Sequence, residues 1–162
     1  LAEDLGEASK DAAVLRKTYG IPGMKILQMS FGNGTPFESM SENTVVYTGT
    51  HDNDTCIGWY FSENGDGTTQ SNKEILKERI HAKNVLKLND IDVNWRMVEY
   101  SMKSNANTAI FPMQDILGMD SSARMNTPGT IGGNWEWRYN QTHLNDGIKH
   151  RLKKLTKETQ RI

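Results

Sequence analysis

The run YTGTHDNDTCIGWY, residues 47–60, places an imidazole and two carboxylates, His51, Asp52 and Asp54, directly behind a short β-like segment, with two large aromatics following. Acids at a strand terminus can ligate a metal, cap a helix, or carry protons and offset charge, and each use marks the neighbouring sequence differently. A calcium loop starting at Asp52 needs an oxygen ligand at its fifth position and a glycine at its sixth, where this chain has Cys56 and Ile57. His51 with Cys56 as a nucleophilic pair has no third group in view to orient it. Asp54-Thr55 ahead of CIGWY suits a helix N-cap. His51 alone reads equally well as a satisfied histidine at a strand end.

The elements that must position these groups are legible from periodicity. Residues 8–19 carry Ala8, Ala12, Leu15 and Tyr19 on one helical face, and Gly20 with Ile21-Pro22-Gly23 supplies a stop. MKILQMSF, residues 24–31, is short and largely apolar, as expected of a buried strand; TVVYTGT, residues 44–50, is a β-branched second one. Helices are predicted over about 73–88 and 92–104, with Trp95, Val98 and Met102 sharing a face in the latter. TAIFPM, residues 108–113, is the last strand candidate, with Pro112 near its end. A long irregular stretch, QDILGMDSSARMNTPGTIGGNWEWRYN, separates it from a final helix. There Leu144, Ile148, Leu152 and Leu155 are in register, and Lys149, Lys153, Lys154 and Lys157 lie mostly on other faces. That basic stripe reads as a solvated face. LAEDLG, at the start of the chain, reads as the end of a further strand. The order strand, helix, strand, strand, helices, strand, helix favours an α/β fold with parallel strands.

In a β/α barrel the chemistry sits at the C-terminal ends of strands, where the following loops open into one cavity. Glu3 and Asp52 both occupy such positions. Side chains alternate along a strand, so Glu3 and Asp4 point to opposite sides, and the same alternation applies to Asp52 and Asp54 with less force because the chain there is leaving its strand. Glycoside chemistry uses one protonated carboxyl for the departing oxygen and ionised carboxylates beside a cationic transition state, and a Glu and an Asp in different environments could divide those roles.

Composition bounds the rest. The 162 residues are 36% hydrophobic and 24% charged, the profile of one ordinary globular domain. A net charge of −1 from 19 basic and 20 acidic residues gives no field favouring nucleic acid or an anionic membrane. Cys56 is the single cysteine, so neither an internal disulfide nor a cysteine-cluster metal site exists. No apolar run approaches the roughly 20 residues that cross a bilayer. The expectation is a soluble, cytoplasmic protein. Because the chain opens at Leu1, without methionine and with a strand already in progress, it reads as a piece of something longer.

Three segments together resemble one family, the 4-α-glucanotransferases or amylomaltases: AEDLG with LRKTYGIPGMKILQ, then VVYTGTHDNDT, then FPMQDILGMDSSARMNTPGTIGGNWEWR. The resemblance runs the length of the chain, and ARMNTPGT with GNWEWR is its most specific part. It implies the second half, strands five to eight, of a TIM (β/α)8 barrel. Residues 1–162 would then be the C-terminal portion of a single catalytic domain whose N-terminal half is absent. By the same resemblance Glu3 is the general acid/base, Asp52 the carboxylate that grips sugar hydroxyls and stabilises the transition state, and His51 a neighbour bonding the same sugar. Asn126 is implied as a glucan contact. Trp59, Trp135 and Trp137 are candidates to stack on glucose rings, with burial in a core the competing reading for each. The family's nucleophile, an aspartate in an Arg-x-Asp-His setting, has no counterpart here, and the loop at 32–43 is shorter than the family's. Implied partners are maltooligosaccharides, starch or glycogen, with no nucleic acid, membrane, metal or organic cofactor. The rival readings are an amylase-clan hydrolase or branching enzyme, and a noncatalytic glucan-binding relic.

Overall fold

The computed structural model describes residues 1, 10–32, 37, 40–62 and 71–161. Along the chain these form α1 (Lys10–Thr18), β1 (Gly23–Ile26), α2 (Leu27–Ser30), β2 (Thr44–Tyr47), α3 (Cys56–Phe61), α4 (Asn72–Leu86), α5 (Val93–Met102), β3 (Thr108–Ile110), α6 (Met113–Leu117) and α7 (Asp146–Glu158). The three strands make one sheet in the order β1-β2-β3 with both pairings parallel, Ile26 opposite Tyr47 and Tyr47 opposite Ile110. Parallel neighbours require crossovers, and α3, α4 and α5 supply the long one between β2 and β3. The expected α/β architecture with a parallel sheet is therefore present.

The strands are shorter than their apolar runs. The strand expected over 24–31 ends at Ile26, and the next residue already belongs to α2. Its partner explains this: β2 gives Gly23–Ile26 four opposing residues, after which only one further bond, Gln28 N–H to the Thr48 carbonyl at 3.3 Å, continues the ladder. A short apolar run cannot by itself distinguish a buried strand from a strand followed by a buried helical turn. The segments expected over 44–50 and 108–113 end likewise at Tyr47 and Ile110. Pro112 stands at the N-terminus of α6, so QDILG, read as irregular, contains a short helix that Gly118 ends at φ 66°. The strand expected at LAEDLG falls on residues 2–6, outside the described set, as do residues 8 and 9 of the first helix.

Two apolar clusters meet on α5. Val93 and Met97 face a cluster with Leu27, Val46, Cys56 and Leu86, which joins α2, β2, α3 and α4. Trp95, Val98 and Met102 share the expected face and pack with Ile116 of α6 and Leu155 of α7. Full burial of side chains such as Leu27, Val46 and Met97 is worth about 1.5–3 kcal/mol each, so α5 is the element on which both cores depend. Arg151 of α7 fastens the second cluster from outside, 4.5 Å over the Trp95 ring and 3.0 Å from Asp92. Ile148, Leu152 and Leu155 of α7 turn inward while Lys149, Lys153, Lys154 and Lys157 remain exposed. In contrast, Val14 and Leu15 on α1, and Tyr19 just after it, are exposed.

Candidate active site

The exit from β2 carries the residues singled out first. Thr48, fully buried, donates its hydroxyl to Asp115 Oδ2 at 2.5 Å. Thr50 then closes a small turn, its backbone N–H and its hydroxyl both donating to Asn53 Oδ1 at 2.8 and 2.9 Å. His51 and Asp52 sit at the head of that turn, with side chains about half exposed. Asp54 points back: Oδ1 accepts from the Thr55 N–H at 2.7 Å and Oδ2 from the Ser121 hydroxyl at 2.6 Å. Thr55 caps α3, its hydroxyl accepting from the Gly58 N–H, which is the N-cap expected here. Gly58 is required for close approach, because a Cβ there would lie 2.3 Å from Ser121 Oγ and 2.5 Å from both Asp54 oxygens.

Asp115 anchors both ends of this exit. Its Oδ2 takes the Thr48 hydroxyl and its Oδ1 the backbone N–H of Cys56 at 2.7 Å. Asn94 donates to the Asp115 carbonyl at 2.7 Å and so holds the anchor on α5. Desolvation raises the Asp115 carboxyl above its usual value, against the bonds from Thr48 and Cys56 that favour the ionised form. The same burial, with the carboxylate beside it, pushes the Cys56 thiol far above its ordinary range. A thiol held neutral this way is a poor nucleophile, which removes the His51–Cys56 pairing on physical grounds.

From the other side the segment after α6 reaches over the loop. A short 3-10 turn at Ser121–Ala123 leads to Arg124, whose Nε donates to the Asn126 carbonyl at 2.9 Å and whose Nη2 donates to the Asp52 carbonyl at 2.8 Å. The Asn126 N–H donates to the His51 carbonyl at 3.1 Å, and the Asn126 amide donates to Asp52 Oδ1 at 2.5 Å. His51 Nε2 lies 3.3 Å from the same oxygen, an ion pair when the imidazole is protonated. Trp135 tilts over His51 with centroids 5.0 Å apart. It does so from a left-handed backbone, φ 64°, an unusual conformation for a bulky residue, held by its N–H donating to the Met125 carbonyl at 2.7 Å.

These loops border a cavity of about 520 Å³ at the C-terminal ends of the strands, with Thr50, His51, Asp52, Phe111, Pro112 and Arg124 among its walls. His51, Asp52, Asn126 and Trp135 are thus brought together. Trp59 is not: it is half-buried and stacks on Phe31 at 5.7 Å and 25°, as part of the first core cluster. Trp137 is likewise half-buried, and Glu3 lies outside the described residues. Among the described residues no group of three or more His, Cys, Asp or Glu side chains is arranged to hold a metal ion. Sequence reading missed Asp115, Arg124, Ser121 and Gln28. The last, nearly buried, donates its amide to the Asp54 carbonyl at 2.9 Å.

A family model described as 4-alpha-glucanotransferase matches residues 1–143. The chain belongs to the 4-alpha-glucanotransferase family. It is 40% identical to a 4-alpha-glucanotransferase of Synechocystis sp. over 165 residues, 96% of this chain and 30% of that protein. A chloroplastic/amyloplastic 4-alpha-glucanotransferase of Arabidopsis thaliana is 44% identical over 142 residues, 85% of this chain and 23% of that protein. The structure of an amylomaltase from Streptococcus agalactiae in complex with acarbose superposes with a TM-score of 0.84 at 30% identity, covering 98% of this chain and 31% of that one. This 4-alpha-glucanotransferase family chain thus spans about a third or less of the length of these relatives. None of its described helices is long and apolar enough to cross a membrane.

Proposed function

We propose that the protein carrying this chain is a retaining 4-alpha-glucanotransferase, which moves a segment of a 1,4-α-glucan to the 4-hydroxyl of an acceptor glucan or glucose. The observation that carries this reading is the Asp52 carboxylate. One of its oxygens is gripped by Asn126 and flanked by His51, and the other has no hydrogen bond among the described residues, at the wall of a cavity where the strands end. An ionised carboxylate fixed in that way can bond sugar hydroxyls and offset the positive charge that grows on the sugar ring in an oxocarbenium-like transition state. Glu3 is the general acid/base: it protonates the departing glycosidic oxygen, then takes the proton of the acceptor hydroxyl. His51, Asn126 and Trp135 contact the sugar beside Asp52. The reaction as written uses no metal or organic cofactor.

In this reading residues 1–162 supply strands five to eight of a (β/α)8 barrel. The nucleophilic aspartate, which attacks the anomeric carbon to form the covalent intermediate, belongs to the remainder of the polypeptide. Acarbose bound to the Streptococcus agalactiae relative supports a carbohydrate ligand for the cavity. The test is product analysis on maltotriose with the full-length protein. Transfer gives glucose and longer chains with no net gain of reducing ends. Release of reducing ends in proportion to cleavage makes it a hydrolase, and glucan binding without turnover makes it a binding relic; either overturns the proposal. Turnover by the 162-residue chain alone would show the nucleophile assignment to be wrong.

A further inference from the structure

We propose that Arg124 is a positioning residue whose guanidinium sets the geometry between the Asp52 carboxylate and the Asn126 amide. Two of its donors are each aimed at the main chain of one member of that pair, 2.8 Å to the Asp52 carbonyl and 2.9 Å to the Asn126 carbonyl. The same two residues meet side chain to side chain at 2.5 Å. Asp52 and Asn126 are 74 positions apart, so local backbone structure cannot fix their separation. The guanidinium closes a ring running from the Asp52 carbonyl through Arg124 and Asn126 to the Asp52 carboxylate, and the Asn126 N–H to the His51 carbonyl braces it at 3.1 Å.

Arginine suits this place because its planar fork holds donors at a fixed spacing and angle, whereas an ammonium is a single point donor on a flexible stem. Its base is also rigid. The Arg124 N–H donates to the Ser121 carbonyl at 3.1 Å, and the Ser121 hydroxyl is bound to Asp54 of the same loop. Arg124 is half-buried at the wall of the cavity, so its loss opens two carbonyls to water without hollowing a core.

The inference rests on the transferase reading only for its activity measurements. In the full-length protein, Arg124→Ala is expected to lower kcat on maltotriose on the order of 10²-fold, the cost of misplacing a charge-stabilising group by about an ångström, with an unchanged melting temperature. Added guanidinium ion should restore part of that loss, whereas Arg124→Lys should remain impaired. Arg124→Ala combined with Asn126→Ala should lose less than the sum of the two single losses, because part of each acts by placing Asp52. Wild-type kcat in Arg124→Ala, additive losses in the double variant, or a loss that follows melting temperature and resists guanidinium would each overturn the proposal. A crystal structure of Arg124→Ala decides the question without any assay. The Asn126 amide is expected beyond hydrogen-bond distance of Asp52, and an intact bond sinks the positioning role even where the transferase reading has failed.

Discussion

β1 and β2 run side by side and end level, yet they leave the sheet in contrasting ways. β1 passes from Ile26 into Leu27 of α2 with no connecting residue, and the first two residues of that exit, Leu27 and Gln28, are buried. β2 continues through Thr48–Thr55 before α3 begins, and this exit holds three threonine hydroxyls, an imidazole and two carboxylates. The short exit is held by apolar packing, with one buried polar group, the Gln28 amide, directed at its neighbour. The long exit is held chiefly by bonds from elsewhere: Gln28 to the Asp54 carbonyl, Asp115 to both ends, Ser121 to Asp54, and Arg124 and Asn126 to Asp52. A loop fixed by its surroundings can keep one carboxylate oxygen unpaired and aimed outward. A loop that had to satisfy itself would spend that oxygen on its own backbone.

The sharpest way to break this contrast is to compare the two acids of the long exit. Asp52→Asn in the full-length protein should reduce transfer between maltooligosaccharides on the order of 10²–10³-fold, the scale for losing one charge-stabilising group at a transition state. Asp54→Asn keeps an oxygen to accept from the Thr55 N–H and gains an amide that can donate to the Ser121 hydroxyl, so it should lose far less. Equal losses would mean that the outward and inward roles have been exchanged. Next in size is Gly58→Ala, which forces a methyl group against the Asp54–Ser121 contact. It should cost about 1–3 kcal/mol in denaturant unfolding and lower activity with it. Gln28→Ala tests whether the short exit supports the long one. Leaving the Asp54 carbonyl without its buried donor should cost about 1–2 kcal/mol, and no measurable change would make the two exits independent.

The smallest effect is a pH dependence. Burial raises the Asp115 carboxyl above 3.8, so the folded protein keeps this proton to higher pH than the unfolded chain does. The stability this group contributes is therefore full below that value and is lost as pH rises through the folded value. Unfolding of wild type and Asp115→Asn, compared by urea titration from about pH 4 to about pH 7, should show wild type losing ground to the variant as pH rises. A difference that grows in favour of wild type reverses the sign and removes desolvation as the dominant cause.

Much of the scaffold was legible because its signals are local. α4 starts at Asn72, one residue from the expected helix start, behind a capping box of Ser71 with Glu74, and the α7 stripe of Ile148, Leu152 and Leu155 needs only a helical period. Strand ends were not legible, since MKILQMSF stays apolar across the change from β1 to α2 and only pairing with β2 marks it. His51 and Asp52 were legible because they are adjacent and follow a β-branched run. Arg124 and Asp115 were not, since no spacing connects position 52 to 124 or 48 to 115. Trp59 and Trp135 carry the same side chain, and tertiary contact alone assigns one to the core and the other to His51.

Asp115, Ser121, Arg124 and Asn126 lie within one short passage of the chain, and all four grip the exit from β2. The shape of one loop is thus written in the text of another, so the two passages must be inherited as a matched set. Grafting either one alone from a relative should disturb this loop more than grafting both.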